Sequence, residues 1–176
     1  MQKQIYLQTE RTFMRNLESD DAEGFYTLNR NKAVLKYTGD VPFENIQAAK
    51  DFLSQYDQYE KYGAGRLAVI EKSTSKFIGW CGIKYHPHNN VYDIGFRFFK
   101  EYRNMGFATE TAKRCLDFGL KDLGIQQIIG RAITENKASI KVLEKIGMTN
   151  KENFDFEGHH GVIYEIINTS WKSPKH

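Results

Sequence analysis

Residues 91–133 read VYDIGFRFFKEYRNMGFATETAKRCLDFGLKDLGIQQIIGRAI, and this stretch decides the fold. Val91 to Phe99 has the composition of a strand. Phe107 to Leu123 places apolar residues on one stripe at three- and four-residue spacing, and Gly124 ends that helix. Ile125 to Ile133 is again strand-like. A strand, a helix and a strand in this order predict a right-handed crossover between two parallel strands.

The segments around this unit predict antiparallel neighbours. Residues 5–17 are typical of two strands or one bent strand. Short turns at 72–75 and 86–90 separate three strand-like segments, and such turns join antiparallel strands. Two more strand-like segments follow near 148–156 and 161–169. We therefore expect an α/β fold with a mixed, mostly antiparallel central sheet and helices on both faces.

Composition limits the class of protein. The chain has 176 residues and no linker-like segment, so we expect one domain, residues 1–176. Its net charge of +3 is too small to indicate a nucleic-acid binder. No long apolar run indicates a membrane span, and the first residues contain no secretory signal. Two cysteines form no disulfide framework, so we expect a cytoplasmic protein.

The segment between the predicted strand and helix, residues 100–108, is suited to bind a phosphate. Gly106 permits close backbone approach, and Asn104 tolerates a left-handed conformation. The free N–H groups of the first helical turn and the helix dipole favour an anion there. Arg103 adds a planar cation. The glycine spacing is neither that of a Walker loop nor that of a dinucleotide fingerprint, and an ordinary strand–helix turn is the alternative.

Four segments, in order along the chain, together resemble the GCN5-related N-acetyltransferases, the GNAT family. Residues 103–108, RNMGFA, fit its signature Arg/Gln-x-x-Gly-x-Gly/Ala. Residues 7–15, LQTERTFMR, resemble the opening of the branch related to ribosomal-protein N-terminal acetyltransferases. Residues 93–96, DIGF, and 135–148, ENKASIKVLEKIGM, resemble two further motifs of that branch.

The resemblance implies that the sheet splays between its fourth and fifth strands into a V-shaped cleft for acetyl-CoA. It implies no metal. The loop would bind the pyrophosphate, and the pantetheine arm would pair with the end of the fourth strand. The residues that the resemblance assigns to the cofactor are Phe98, Phe99, Arg103, Asn104, Met105, Gly106, Phe107, Ala108, Thr109 and Asn136.

The resemblance also suggests catalytic residues. An attacking amine must be neutral, so a base or a water chain to one is expected. Asp93 stands where the branch often has Glu, and its side chain is one methylene shorter. As the base it acts directly, through a water, or not at all. Ser139 matches a residue that protonates the leaving thiolate. The alternative for Asn136 and Ser139 is a helix cap and a polar residue in the first turn.

The acceptor side carries weaker signals. Tyr37, Asp40 and Phe43 lie in the region that lines the acceptor pocket in relatives, where Asp40 would meet a cationic acceptor. His86 and His88 flank a proline in a predicted turn, and we expect both to be solvated because no further metal-ligating residues accompany them.

The sequence thus predicts an acetyl-CoA-dependent N-acetyltransferase acting directly on a primary amine, either a small molecule or a protein N-terminus. A GNAT-fold module that holds CoA without turnover, as a sensor or scaffold, is the alternative. We expect no nucleic-acid or membrane partner, and a monomer and a homodimer are both compatible with the sequence.

Overall fold

The computed structural model describes residues 4–30, 42–156 and 158–170. Within these ranges its strands are β1 (Tyr6–Gln8), β2 (Thr12–Asn16), β3 (Arg66–Glu71), β4 (Phe77–His86), β5 (Val91–Phe98), β6 (Gln127–Ile133), β7 (Thr149–Phe156) and β8 (His159–Ile167). They form one sheet in the order β1-β2-β3-β4-β5-β6-β8-β7.

Helices cover both faces of this sheet. They are α1 (Ala22–Arg30), α2 (Ile46–Ser54), α3 (Gln58–Tyr62), α4 (Phe107–Asp117) and α5 (Lys137–Lys145), with short 3-10 turns at Ser19–Asp21 and Lys100–Tyr102. The predicted helix from Phe107 is confirmed, but its last turn, Phe118–Asp122, is a π-helix. No helix in the described ranges has the length and apolar composition needed to cross a bilayer.

Strand pairing confirms the predicted crossover. Every neighbouring pair is antiparallel except β5 and β6, which are parallel. These two strands pair only at Tyr92–Ile128 and Asp93–Ile129. Beyond this point β5 and β6 no longer pair, so the sheet opens into a V. The N-terminal segment forms two strands, so the splay expected between the fourth and fifth strands lies between β5 and β6.

Two apolar layers hold the helices on the sheet. On one face, α4 and α5 pack on a core that includes Ile78, Ile94, Ile128 and Leu143. On the other face, α1 and α2 pack through the residues Leu17, Ala22, Phe25, Ala49, Leu53 and Ala68.

Candidate active site

The splay between β5 and β6 opens into a cavity of about 540 Å³. Gly95, Phe96 and Ala132 line it along the diverging strands, and Asn136 and Ser139 line it at the start of α5. A cavity of this size is typical of a small-molecule site.

The loop before α4 has the conformation that an anion site requires. Gly106 and Asn104 both adopt the left-handed region, with φ of +84° and +59°. The first intrahelical bond runs from Glu110 N–H to the Gly106 carbonyl over 3.0 Å. The N–H groups of residues 107–109 therefore precede the helical ladder at the positive end of the helix dipole. This geometry agrees with the predicted phosphate loop.

Arg11, which directly precedes β2, contacts the loop, and sequence analysis did not assign this contact. Its Nη1 donates to the Met105 carbonyl over 2.9 Å, and its Nε donates to Glu110 Oε2 over 2.7 Å. Its guanidinium carbon lies 4.1 Å from the centre of the Phe107 ring. Burial raises the pKa of Glu110, but hydrogen bonds from Thr9 and Arg11 outweigh this and lower it. The carboxylate beside the loop is thus already paired with a cation.

Phe98 and Phe99 form the end of β5 and the turn that follows it. The Phe98 side chain is buried beside Phe107, and its carbonyl accepts a 3.1 Å bond from Arg103 Nε. The Phe99 N–H donates to the Ile78 carbonyl over 3.1 Å. Neither residue lines the cavity; the part of β5 that does comprises residues 93–97. A role of Phe98 and Phe99 in binding the pantetheine arm stays a prediction.

Asn136 caps α5, as one of the two interpretations predicts. Its Oδ1 accepts the N–H of Ser139 over 3.2 Å. Both side chains are half-buried and line the cavity. The cap uses the amide oxygen of Asn136. Its amide nitrogen takes no part in this cap.

Asp93 is the centre of a buried charge cluster. Its Oδ1 accepts a 2.7 Å bond from Arg66 Nη2, and its Oδ2 lies 3.2 Å from Arg131 Nη2 and 3.0 Å from His86 Nε2. Burial raises the pKa of Asp93, but attraction to Arg66, His86 and Arg131 outweighs burial and holds it well below the usual range. Asp93 is therefore a weak proton acceptor, which disfavours direct action as the base; its catalytic role stays a prediction.

The expectation that His86 is a solvated turn residue is wrong. His86 is the last residue of β4, lines the cavity and has 29% of its side chain exposed. Lys84 pairs with Asp93 across β4 and β5, so His86, two residues on, lies on the same face. His88 is exposed in the turn, as expected. In the described part of the chain, no three His, Cys, Asp or Glu side chains gather to hold a metal.

The other end of the cavity is aromatic. Phe43 lines it and packs against Phe25 and Phe52, with ring centres 5.7 and 5.4 Å apart. Sequence analysis missed Trp80 and the buried Arg97, whose guanidinium lies 5.3 Å from the Trp80 ring centre. Arg97 also donates to the side-chain oxygen of Asn29. Tyr37 and Asp40 lie outside the described residues.

Comparisons with known proteins agree with this geometry. The family model of the acetyltransferase (GNAT) domain matches residues 11–149. The uncharacterized N-acetyltransferase p20 of Bacillus licheniformis is 29% identical over 164 residues, covering 91% of this chain and 92% of its own. Spermidine N(1)-acetyltransferase of Vibrio cholerae is 23% identical, and the match covers 83% of this chain and 80% of that protein. Ribosomal-protein-S5-alanine acetyltransferase from Vibrio fischeri shares the fold, with a TM-score of 0.81, 20% identity and coverage of 96% and 99%.

Proposed function

The chain belongs to the GNAT family of acetyltransferases, and we propose that it transfers an acetyl group from acetyl-CoA directly to a primary amine. The observation that carries the proposal is the splay of β5 and β6. Strand β5 runs between the loop before α4, which is suited to bind phosphates, and the charge cluster around Asp93, and the cavity at the splay is lined by the residues of this cluster.

The residues at the loop fit the phosphates of the donor. The backbone N–H groups of residues 107–109 point out of the helix start, where the dipole favours an anion. Arg103 lies beside them, and Gly106 leaves the backbone open to close approach. Asn136 and Ser139 would contact the arm that carries the thioester, since both line the diverging strands. Acetyl-CoA supplies the activated acetyl group.

The charge cluster around Asp93 contains groups that can remove a proton from the acceptor. An acceptor that arrives as an ammonium ion must lose one proton before its nitrogen can attack. We assign this proton to His86, with Asp93 stabilising the imidazolium ion that results. The nitrogen then bonds to the acetyl carbon and the carbon–sulfur bond breaks. The nitrogen passes its second proton to the Ser139 hydroxyl as Ser139 gives its own proton to the thiolate, and His86 then releases its proton to solvent.

The acceptor range covers small amines and protein N-termini. The relative named spermidine N(1)-acetyltransferase and the structure named ribosomal-protein-S5-alanine acetyltransferase represent these two classes. The aromatic end of the cavity, with Phe25, Phe43 and Phe52, would take the body of the acceptor.

Thermal unfolding with acetyl-CoA tests the donor site. At one hundred times its dissociation constant the donor adds ~2.7 kcal/mol, which raises the unfolding midpoint by roughly 5–11 °C for a protein of this size. Gly106→Ala should abolish most of this shift, because it alters the anion loop. Gly124→Ala is the matched control: Gly124 is also left-handed but has open space around it. The Gly124→Ala variant should be less stable than the wild type but should keep the rise in unfolding midpoint with acetyl-CoA.

Thiol release with a panel of amines then tests transfer. Release that depends on both the amine and acetyl-CoA supports the enzyme. A full thermal shift without release for any amine would favour a CoA-binding module instead. No shift at millimolar acetyl-CoA would contradict the proposal.

A further inference from the structure

The cavity carries an excess of positive charge. Among the described residues that line it, Asp93 is the one carboxylate. Four permanently cationic side chains line it as well, namely Arg66, Lys84, Arg97 and Arg131. Asp93 is ionised, so it offsets one of these charges.

Lys84 is one of the cations that this carboxylate does not neutralise. It faces Asp93 across β4 and β5 and is half-buried. Asp93 is already bonded to Arg66 at 2.7 Å, and the Lys84 ammonium has no ion pair or hydrogen bond with the part of the chain that the structure describes. Arg131 reaches Asp93 from the rim at 3.2 Å, with 34% of its side chain exposed. Two cationic groups therefore face the cavity with part of their bonding capacity available.

The phosphates of the donor do not account for these cations. The phosphate loop follows the far end of β5. Asp93 and Phe98 are five residues apart on this strand, which corresponds to about 16 Å. Lys84 and Arg131 lie at the Asp93 end, where the acceptor amine must arrive if the proposed function holds.

We propose that the acceptor is a primary amine that also carries an anionic group, a carboxylate or a phosphate, bound by Lys84 and Arg131. This inference rests on the proposed function and specifies its substrate class. A planar guanidinium and an ammonium both bind such oxygens through charge-assisted hydrogen bonds. A polyamine would add like charges beside uncompensated cations, which is unfavourable. The nearby cations also favour the neutral form of the acceptor amine, the form that attacks.

Pairs of amines that differ only in the anionic group test the proposal. Leucine is compared with leucinamide, and glucosamine 6-phosphate with glucosamine; 1,5-diaminopentane represents the dications. We expect kcat/KM from thiol release to be at least tenfold higher for the anionic member of one pair. A preference for leucine over leucinamide identifies the anionic group as a carboxylate. A preference for glucosamine 6-phosphate over glucosamine identifies it as a phosphate. Equal rates within both pairs, or a preference for the diamine, would overturn the inference.

Substitutions at Lys84 test the assignment to a residue. Lys84→Met should raise KM for the preferred anionic amine and reduce its advantage over the partner that lacks the anionic group. Lys84→Glu should reverse the preference toward the diamine. Lys121→Met is the matched control, because Lys121 is exposed and pairs with Asp117 at the end of α4. It should leave all rates unchanged. Full retention of anion preference in Lys84→Glu would overturn the assignment.

A binding measurement separates this inference from the proposed function. In the presence of CoA, the anionic amine should raise the unfolding midpoint of the wild type, but not that of Lys84→Glu. This shift without thiol release contradicts the proposed transfer and supports the anion site. Thiol release that is insensitive to acceptor charge supports the transfer and overturns the anion site. If neither the shift nor thiol release is observed, both the proposed transfer and the anion site are overturned.

Discussion

The sites at the two ends of β5 are built from different parts of the chain. The donor end, at residues 100–109, uses backbone N–H groups from one continuous segment, with Gly106 and Asn104 setting its shape. The acceptor end uses charged side chains from β3, β4, β5 and β6, which meet at Asp93. The donor end therefore depends on local conformation, whereas the acceptor end depends on strand register and on the balance of buried charge.

This difference predicts different responses to substitution. A change at the donor end should weaken binding of acetyl-CoA with a modest effect on folding. A change at the acceptor end removes a charge from a buried cluster, so it should affect the free energy of unfolding as well as the reaction.

Asp93→Asn should have the largest effect. It leaves Arg66, which is buried with it, without its carboxylate partner, and breaking such a pair costs about 3–5 kcal/mol. For a chain of this size the unfolding midpoint should fall by roughly 6–20 °C. Asp57→Asn is the matched control, since Asp57 forms an exposed ion pair with Lys61. Equal midpoints for the two variants would refute the view that the acceptor end depends on a buried charge.

The same cluster predicts a pH dependence of stability. The pKa of Asp93 is lower in the folded protein than its ordinary value of 3.8. The unfolded chain therefore takes up a proton first as the pH falls. The stabilisation from Asp93 is complete above pH ~4 and decreases as the pH falls from there toward the folded-state pKa. Unfolding midpoints measured from pH 7 down to pH 3 should show this loss in the wild type and a smaller one in Asp93→Asn.

His86→Gln should come next and should affect the reaction more than the fold. If His86 accepts the proton from the amine, kcat should fall by about 100-fold or more. His88→Gln is the matched control, because it removes an imidazole from the adjacent exposed turn; it should leave kcat unchanged. A His86→Gln variant with the wild-type kcat would assign the base to another group.

The same contrast explains what the sequence could predict. The crossover, the loop before α4 and the cap of α5 depend on short, local patterns, and the structure contains all three. The position of His86 depends on how far β4 extends and on its register with β5. The residues that follow Tyr85 are typical of a turn, so the sequence indicated neither the end of β4 nor its register with β5. The burial of the Phe98 side chain likewise depends on how β5 packs against α4, which no local pattern reveals.

Asn136 offers the smallest and most selective test, because its cap and its proposed contact with the donor use different atoms. Asn136→Ala removes both and should cost about 1 kcal/mol of stability. Asn136→Asp keeps an oxygen acceptor for the Ser139 N–H, so it should retain stability while losing the amide donor. One lost hydrogen bond, about 0.5–1.5 kcal/mol, should raise the Kd for acetyl-CoA about 2- to 13-fold in both variants.

Asn45→Ala is the control: Asn45 caps α2 by accepting the Ala48 N–H over 2.9 Å and does not line the cavity. It should lower stability without changing the Kd. If Asn136→Asp binds acetyl-CoA as tightly as the wild type, Asn136 acts only as a helix cap, and the donor end relies on backbone groups alone.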